Sequence, residues 1–342
     1  MAYQNVGTPR FYVSILQWLS SLGKLIIEDT PVYQWSDSGI PPVYINPTSQ
    51  AIFQSAEPVV NIALLSKGGA FAALMPEKKN FWMVLGHTLT GVKCYGRSEN
   101  FSPVADGDLI NFNSQTPKYN GFSIGIGNDA TDVSTNRLLV TFANYSTNTP
   151  YKLGSVLYGT YYDMPNTPNL SLKMSREYGS TKESATINGS SVSNTMSSKP
   201  PKWGDLGAWE LDGILGSGDQ AKDVSRSGRK IWGLKFSFMS DGDLWSSNQM
   251  LNRYRTDISD GIDNDDLAVA LSFNYNLLTD DNFFSQVWHK TLGGTLPFIF
   301  QPDNSNNNPD QFAICRFVDG SLKATQSAFN VYDISLSIEE VW

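Results

Sequence analysis

"KIWGLKFSFM", residues 230–239, decides what kind of chain this is. Trp232, Leu234, Phe236 and Phe238 alternate with Gly233, Lys235 and Ser237, so every second side chain is large and apolar. Successive side chains of a strand point to opposite faces, and a period of two predicts a half-buried strand with these four residues turned to a core. The end of the chain repeats the signature. In "NVYDISLSIEEVW" (330–342), Tyr332, Ile334, Leu336 and Ile338 alternate with Asp333, Ser335, Ser337 and Glu339. A strand placed there ties down a terminus.

Working outward, "LAVALSFNYNLL" (267–278), "LPFIFQPD" (296–303) and "FAICRFVDG" (312–320) read as further strands. So do "KLIIED", "PVVNIALLS", "FWMVLGH", "GVKCYG" and "RLLVTFANY" in the first half. Each is a short apolar run bounded by Gly, Pro or Asn, the rhythm of a sandwich or barrel. Two short amphipathic helices interrupt it. The first has Thr8 as N-cap and Pro9 in its first position, then Phe11, Ile15, Trp18, Leu19 and Leu22 at helical spacing, with Gly23 closing it. The second is capped by Thr279 or Asp281, places Phe284, Val287, Trp288 and Leu292 on one face, and ends at Gly293–Gly294.

Residues 165–229 differ: they are polar, rich in Ser and Asn, and poor in large aliphatics. They read either as an extended arm that orders on assembly or as a hairpin-and-loop insertion on a sandwich. The expected organisation is therefore a helix and β-sandwich region over 1–164, a polar arm or insertion over 165–229, and a β-rich region with one helix over 230–342.

Composition agrees. Of 342 residues, 40% are apolar, 12% aromatic and only 17% charged, below the usual quarter. Few long charged side chains and many aromatic ones suit a mainly β protein. Net charge is −8, without the basic footprint that nucleic-acid binding needs. Cys94 and Cys315 form no CxxC pair, so two buried thiols are expected rather than a disulfide or a zinc ribbon. No signal-peptide pattern opens the sequence, and no apolar run reaches the roughly 20 residues of a membrane span. The expectation is a protein kept in the cytosol or carried off inside a particle.

Candidate chemistry is sparse. The chain has two histidines, His87 in "NFWMVLGHTLTG" (80–91) and His289. No G-x-S-x-G elbow supplies a nucleophile, and His289 falls in the last turn of its helix, where a positive side chain meets the dipole favourably. His87 reads as a structural residue at a strand end. The glycines of "GFSIGIGND" (121–129) do not match a dinucleotide fingerprint, and no phosphate loop is present. Asp260, Asp263, Asp265 and Asp266 could gather oxygen ligands for calcium, but their spacing is not that of an EF-hand and suits a solvated turn better. Trp203, Trp209, Trp245 and Trp288 could stack on sugars or fill an interface, and single tryptophans are more often core anchors. No catalytic residue, metal ligand or cofactor site is assigned.

Two stretches carry a resemblance. From Trp232 to Trp342 the chain resembles the C-terminal part of minor tail proteins of tailed bacteriophages, with a "G-G-x-x-P-F-x-F-x-P" strand at Gly293, Gly294, Pro297, Phe298, Phe300 and Pro302, then the last strand "FNVYDISLSIEEVW". "NFWMVLGHTLTG", "RLLVTFAN" and "YKLGSVLYGTYYDMP" look like a jelly-roll, discoidin-like module of phage structural proteins, with Thr88 standing where that pattern has Asn. The resemblance implies a jelly-roll module joined to a second β-rich module. It implies a structural virion protein of a tailed phage, in the tail or tail tip, without catalysis or cofactor. Its partners would be copies of itself and other virion proteins, with no nucleic acid and no membrane. Alternatives are a capsid decoration or adaptor protein, and a carbohydrate-binding module recognising a host-surface glycan. A glycoside hydrolase ranks behind them.

Overall fold

A computed structural model describes residues 7–28, 43, 45, 51–53, 59–76, 79–87, 89, 92–98, 110–112, 123–127, 137–143, 151–178, 181–195, 228–245, 277–308 and 311–341. The protein is mainly β, with antiparallel pairing throughout the described sheets. In chain order the first strands are β1 (Arg10–Ser14), β2 (Leu25–Glu28), β3 (Ala51–Phe53), β4 (Val59–Ser66), β5 (Asn80–Leu85), β6 (Val92–Ser98), β7 (Ile110–Phe112), β8 (Ser123–Gly127), β9 (Arg137–Ala143), β10 (Tyr151–Leu153) and β11 (Ser155–Asp163). After them come β12 (Lys173–Glu177), β13 (Thr181–Ala185), β14 (Ser191–Thr195), β15 (Arg229–Ser240), β16 (Phe298–Gln301), β17 (Ala313–Phe317), β18 (Lys323–Ala328) and β19 (Val331–Glu340).

Pairing gives one sheet in the order β12-β15-β19-β17-β16-β1-β11-β5-β8, with β18 on β19, and a second in the order β2-β4-β9-β6-β7. Within these, β1-β11-β5-β8 faces β4-β9-β6-β7. Numbering those strands by chain order, one sheet runs first-eighth-third-sixth and the other second-seventh-fourth-fifth. That interleaving is the double Greek key of a jelly roll. Its core lies between the sheets: Trp82, Val84, Val156 and Tyr158 from the first meet Ile62, Leu64, Leu138, Val140 and Phe142 from the second. The Trp82 and Tyr158 rings pack at 4.3 Å.

The C-terminal strands join edge-on, because β1 pairs with β11 on one side and β16 on the other. A second core forms over this extension from Phe11, Trp232, Leu234, Phe236, Phe298, Phe300, Phe317, Tyr332, Ile334, Leu336 and Ile338. The alternation read in β15 and β19 is what puts Trp232, Leu234, Phe236, Tyr332, Ile334, Leu336 and Ile338 there.

The expected inward turn of Phe238 is overturned. The register slips between Phe236 and Met239, Phe238 sits at φ 61°, and its ring is 82% exposed while Met239 takes the core position. One extra residue on one strand of a pair is a β-bulge, and it reverses the facing of everything beyond it.

The first helix is also corrected. Residues 10–14 are strand β1, and helix α1 covers only Ile15–Ser21, capped by Ser14, whose Oγ accepts from the Gln17 N–H. Phe11, Tyr12 and Val13 are all buried, since β1 lies inside the sheet with a core on each face. An aromatic and β-branched run gains more from that burial than from a helical stripe. Gly23, at φ 65°, does close the helix.

The second helix is a π-helical turn over Phe284–Trp288, entered through Phe283 rather than Thr279 or Asp281, and at its start the Ser285 N–H donates to Asn282 Oδ1 at 2.8 Å. The wider turn rotates the expected stripe. Val287 is buried, but so are Ser285, Gln286 and Lys290, while Leu292 turns outward at φ 53°. The strand expected over 267–278 lies almost wholly outside the described residues. In the polar stretch, β12 adds to β15 and β13–β14 form a separate hairpin.

Candidate functional site

His87 follows Gly86 (φ 61°) just beyond the end of β5 and is 3% exposed. The Leu89 N–H donates to its Nδ1 at 3.3 Å, which places the ring proton on Nε2, and Nε2 donates to Ser123 Oγ at 2.9 Å. Burial presses its pKa to about 3, so it stays neutral across the physiological range. A neutral, enclosed ring holding a strand end to β8 is a brace. His87→Gln is expected to lower stability by roughly 1–3 kcal/mol, because the partners of the ring are left in a buried place. Chemical denaturation checks this; an unchanged midpoint would remove the bracing role.

Another strongly perturbed titratable group is one the sequence did not single out. Lys290 is 1% exposed and donates to the Leu278 carbonyl at 3.0 Å and to Gln286 Oε1 at 2.5 Å. Gln286 Oε1 also accepts from Thr160 Oγ1 of β11, and its Nε2 donates to the Leu278 and Asp280 carbonyls. Burial brings the Lys290 pKa down to about 7, against the pull of Asp281. This knot ties the π-helical turn to the jelly roll. The side chains of Lys290, Gln286 and Thr160 are all buried. His289, expected in a last helical turn, lies just after the π-helical turn with its ring 5.8 Å from that of Trp18, and burial lowers its pKa too.

A second polar joint sits where β1, β11 and β16 meet. Arg10 grips Asp163 through two hydrogen bonds of 2.6 and 2.9 Å and lies 4.4 Å over the Tyr161 ring. Asn304 adds a third bond to Asp163, and Tyr12 OH donates to Gln301 Oε1 at 2.7 Å. Burial alone would raise the Asp163 carboxyl; the bonds from Arg10 and Asn304 outweigh it and hold the acid below its ordinary value.

Of the other residues picked out by sequence, Trp245 and Trp288 are partly buried against the second core and stack near Tyr332 and Phe317. Cys315 is a free, buried thiol whose pKa burial raises. Trp203, Trp209, the Asp260–Asp266 cluster and the Cys94 side chain lie outside the described residues. Among the described residues, no three His, Cys, Asp or Glu side chains gather as a metal site would require. No helix of the described residues is long and apolar enough to cross a membrane.

Exposed apolar side chains lie elsewhere among the described residues. Met174 of β12 pairs directly with Trp232, so it stands on the core-side face of the sheet, yet it is exposed, as are Leu170, Leu172 and Tyr178 along the same run. Ile187 and Val192 are exposed on the β13–β14 hairpin, and Phe329, 86% exposed, occupies the β18–β19 turn. The Asp241 N–H bonds to the Asn330 carbonyl, which brings that turn beside the end of β15 that carries Phe238.

Comparison with protein-family models and with curated proteins gives no match. Among solved structures, the chain is similar to the enzymatically active domain of tailspike protein 4 of bacteriophage CBA120, at 13% identity and a TM-score of 0.24. The likeness covers 40% of this chain and 19% of that one. That neighbour is a phage tailspike.

Sequence reasoning missed Lys290, Gln286, Thr160 and the Arg10–Asp163 pair because each is polar in a segment read for its apolar spacing. A signal existed for two of them. Gln286 and Lys290 stand four apart in a turn whose outer positions were otherwise accounted for, a spacing that sets side chains on one face.

Proposed function

We propose that this chain is a structural virion protein of a tailed bacteriophage, set in the tail or tail tip, and that it acts by assembly rather than catalysis. The observation that carries the reading is the set of exposed apolar side chains among the described residues, at Leu170, Met174, Ile187, Phe238 and Phe329. Exposed apolar patches on a folded domain mark sites of protein contact. The β13–β14 hairpin points the same way: two strands alone are marginally stable in water and gain from a surface to lie on.

Jelly rolls serve in viral shells and in lectins, so the fold does not choose between them. The exposed large apolar residues among the described ones are mostly Leu, Met, Ile, Val and Phe, with Tyr178, while Trp245 and Trp288, which could offer sugars a flat aromatic platform, pack against the core; this supports the assembly reading. The resemblance of the strand from Gly293 to Pro302 to minor tail proteins supports a tailed phage. Its second glycine is required by the turn that delivers β16 to β1. Gly294, at φ 96°, passes Phe317 so closely that a Cβ would lie 2.8 Å from the Phe317 Cβ.

The test is mass spectrometry and labelled-antibody microscopy of purified particles. The protein is expected in the particle at a fixed copy number, with label at the tail. Label on the head would favour a decoration or adaptor role. A monomer that binds host glycan and is missing from every particle would overturn the reading.

A further inference from the structure

The segment Leu172–Tyr178 reads LKMSREY, and its order is self-complementary about Ser175. Placed antiparallel to a second copy with Ser175 opposite Ser175, Lys173 faces Glu177, Met174 faces Arg176, and Leu172 faces Tyr178, each pair occurring twice. Directly opposed pairs are the unit of sheet stabilisation, and these are an opposite-charge pair, a thioether along an arginine stem, and an aliphatic against an aromatic. The structure puts this segment where such pairing can happen. Among the described strands β12 is the last on its side of the large sheet, bonded to β15 on one flank, and its five residues are all exposed. Leu172, Met174, Arg176 and Tyr178 fall on one face and Lys173, Ser175 and Glu177 on the other, so the apolar groups meet one another and the arginine stem on one side and the opposite charges meet on the other.

We propose that β12 is a homotypic interface, through which two copies of this chain join edge to edge about a twofold axis at Ser175 and merge their large sheets. A contact of this type is isologous, the same patch on both subunits, and it closes as a dimer. Strand addition supplies main-chain hydrogen bonds, and the alternating side chains fix the register. The core-side stripe of Leu172 and Met174, which runs off the edge of one chain uncovered, continues onto the partner.

The inference rests on the assembly reading above, and its test is separate from the search for the protein in virions. Self-association of the full chain is measured by sedimentation velocity over a concentration series at low salt. The natural sequence is expected to dimerise. Lys173→Glu sets acid against acid twice and is expected to weaken the dimer about tenfold or more, as is Glu177→Lys, which sets base against base. The double exchange, Lys173→Glu with Glu177→Lys, restores both opposite-charge pairs and is expected to recover the parental affinity. Circular dichroism and melting confirm that each variant is folded, as exposed positions allow. A monomeric natural chain at all concentrations would overturn the proposal. So would single variants that associate as tightly as the parent, or a double exchange that fails to rescue. In the last two cases the chain still associates and the assembly reading stands through another surface.

Discussion

Gly159→Ala is expected to cost the protein more than about 3 kcal/mol, a large part of the 5–15 kcal/mol that holds a typical domain folded. Gly159 lies in β11 opposite Ser14 of β1. A Cβ there would sit 1.9 Å from the Val13 carbonyl oxygen, 2.8 Å from the Ile15 nitrogen and 2.9 Å from the Ser14 Cα. All three are backbone atoms, so no side chain can rotate aside, and the two strands must part. Parting them is costly because β1 is paired on both edges: it holds β11 through Arg10–Ser14 and β16 through Arg10–Tyr12. The methyl group therefore loosens the joint between the jelly roll and the C-terminal strands as well as the jelly roll itself. Gly242→Ala is the matched control, since nothing lies within 4 Å of a Cβ at that position. It is expected to change stability by less than about 1 kcal/mol, in the favourable direction, by restricting the unfolded chain. Chemical denaturation of both variants at one temperature decides the matter; equal midpoints would show that β1 does not press on β11 as described.

Nothing in "VLYGTYYD" announces that glycine, and the reason is general. The sequence reports what a residue prefers, while the close approach of two strands is a property of the pair. The same limit explains the first helix. Phe11, Ile15, Trp18, Leu19 and Leu22 do keep helical spacing, and Ile15–Ser21 is helical. Tyr12 and Val13 break the stripe, and their burial came from partner strands β11 and β16, far along the chain. Where burial was one-sided, the reading held. β19 alternates over its whole length because one face meets the core and the other meets solvent or a thin cover. β15 alternates until the bulge, and a bulge is a single inserted residue that leaves no mark on composition.

Candidate-site legibility divides in the same way. The strand-end setting of His87 was visible in "FWMVLGH", since Gly after an apolar run signals a turn. Its neutral state was not, because that depends on how completely β8 and Leu89 enclose the ring. The stretch that holds β12 was readable as polar and poor in large aliphatics, yet its self-complementary order acquires meaning only once β12 is known to end the described sheet.

Stability is expected to rise from pH 7 to about pH 8.5, by up to about 1.4 kcal/mol per pH unit, and Lys290→Met is expected to flatten that rise. The sign follows from which state holds the proton. In the unfolded chain Lys290 titrates at its ordinary 10.5; in the folded chain burial brings it to about 7. Between these values the unfolded state binds one more proton than the native state, so raising the pH favours the native state. Below about pH 7 both states are protonated and the slope from this group vanishes. The upper end of the window is set by other groups. Burial raises the Cys315 thiol well above its ordinary value, so from about pH 9 the unfolded chain gains an ionised thiol that the native state lacks, which pulls stability down. His87 acts in the same sense as Lys290 but lower, between its folded value of about 3 and its ordinary 6.5, and so does not enter the window. The methionine variant is a fair test because it orphans no acceptor. The Leu278 carbonyl keeps the Gln286 amide, and Gln286 Oε1 keeps the Thr160 hydroxyl. Methionine also fills much of the lysine's stem volume without a charge to desolvate. Unfolding free energies of parent and variant at four pH values between 7 and 8.5 measure the two slopes. Parallel slopes would mean that Lys290 keeps its proton in the folded protein and that the buried knot holds an ammonium rather than a neutral amine.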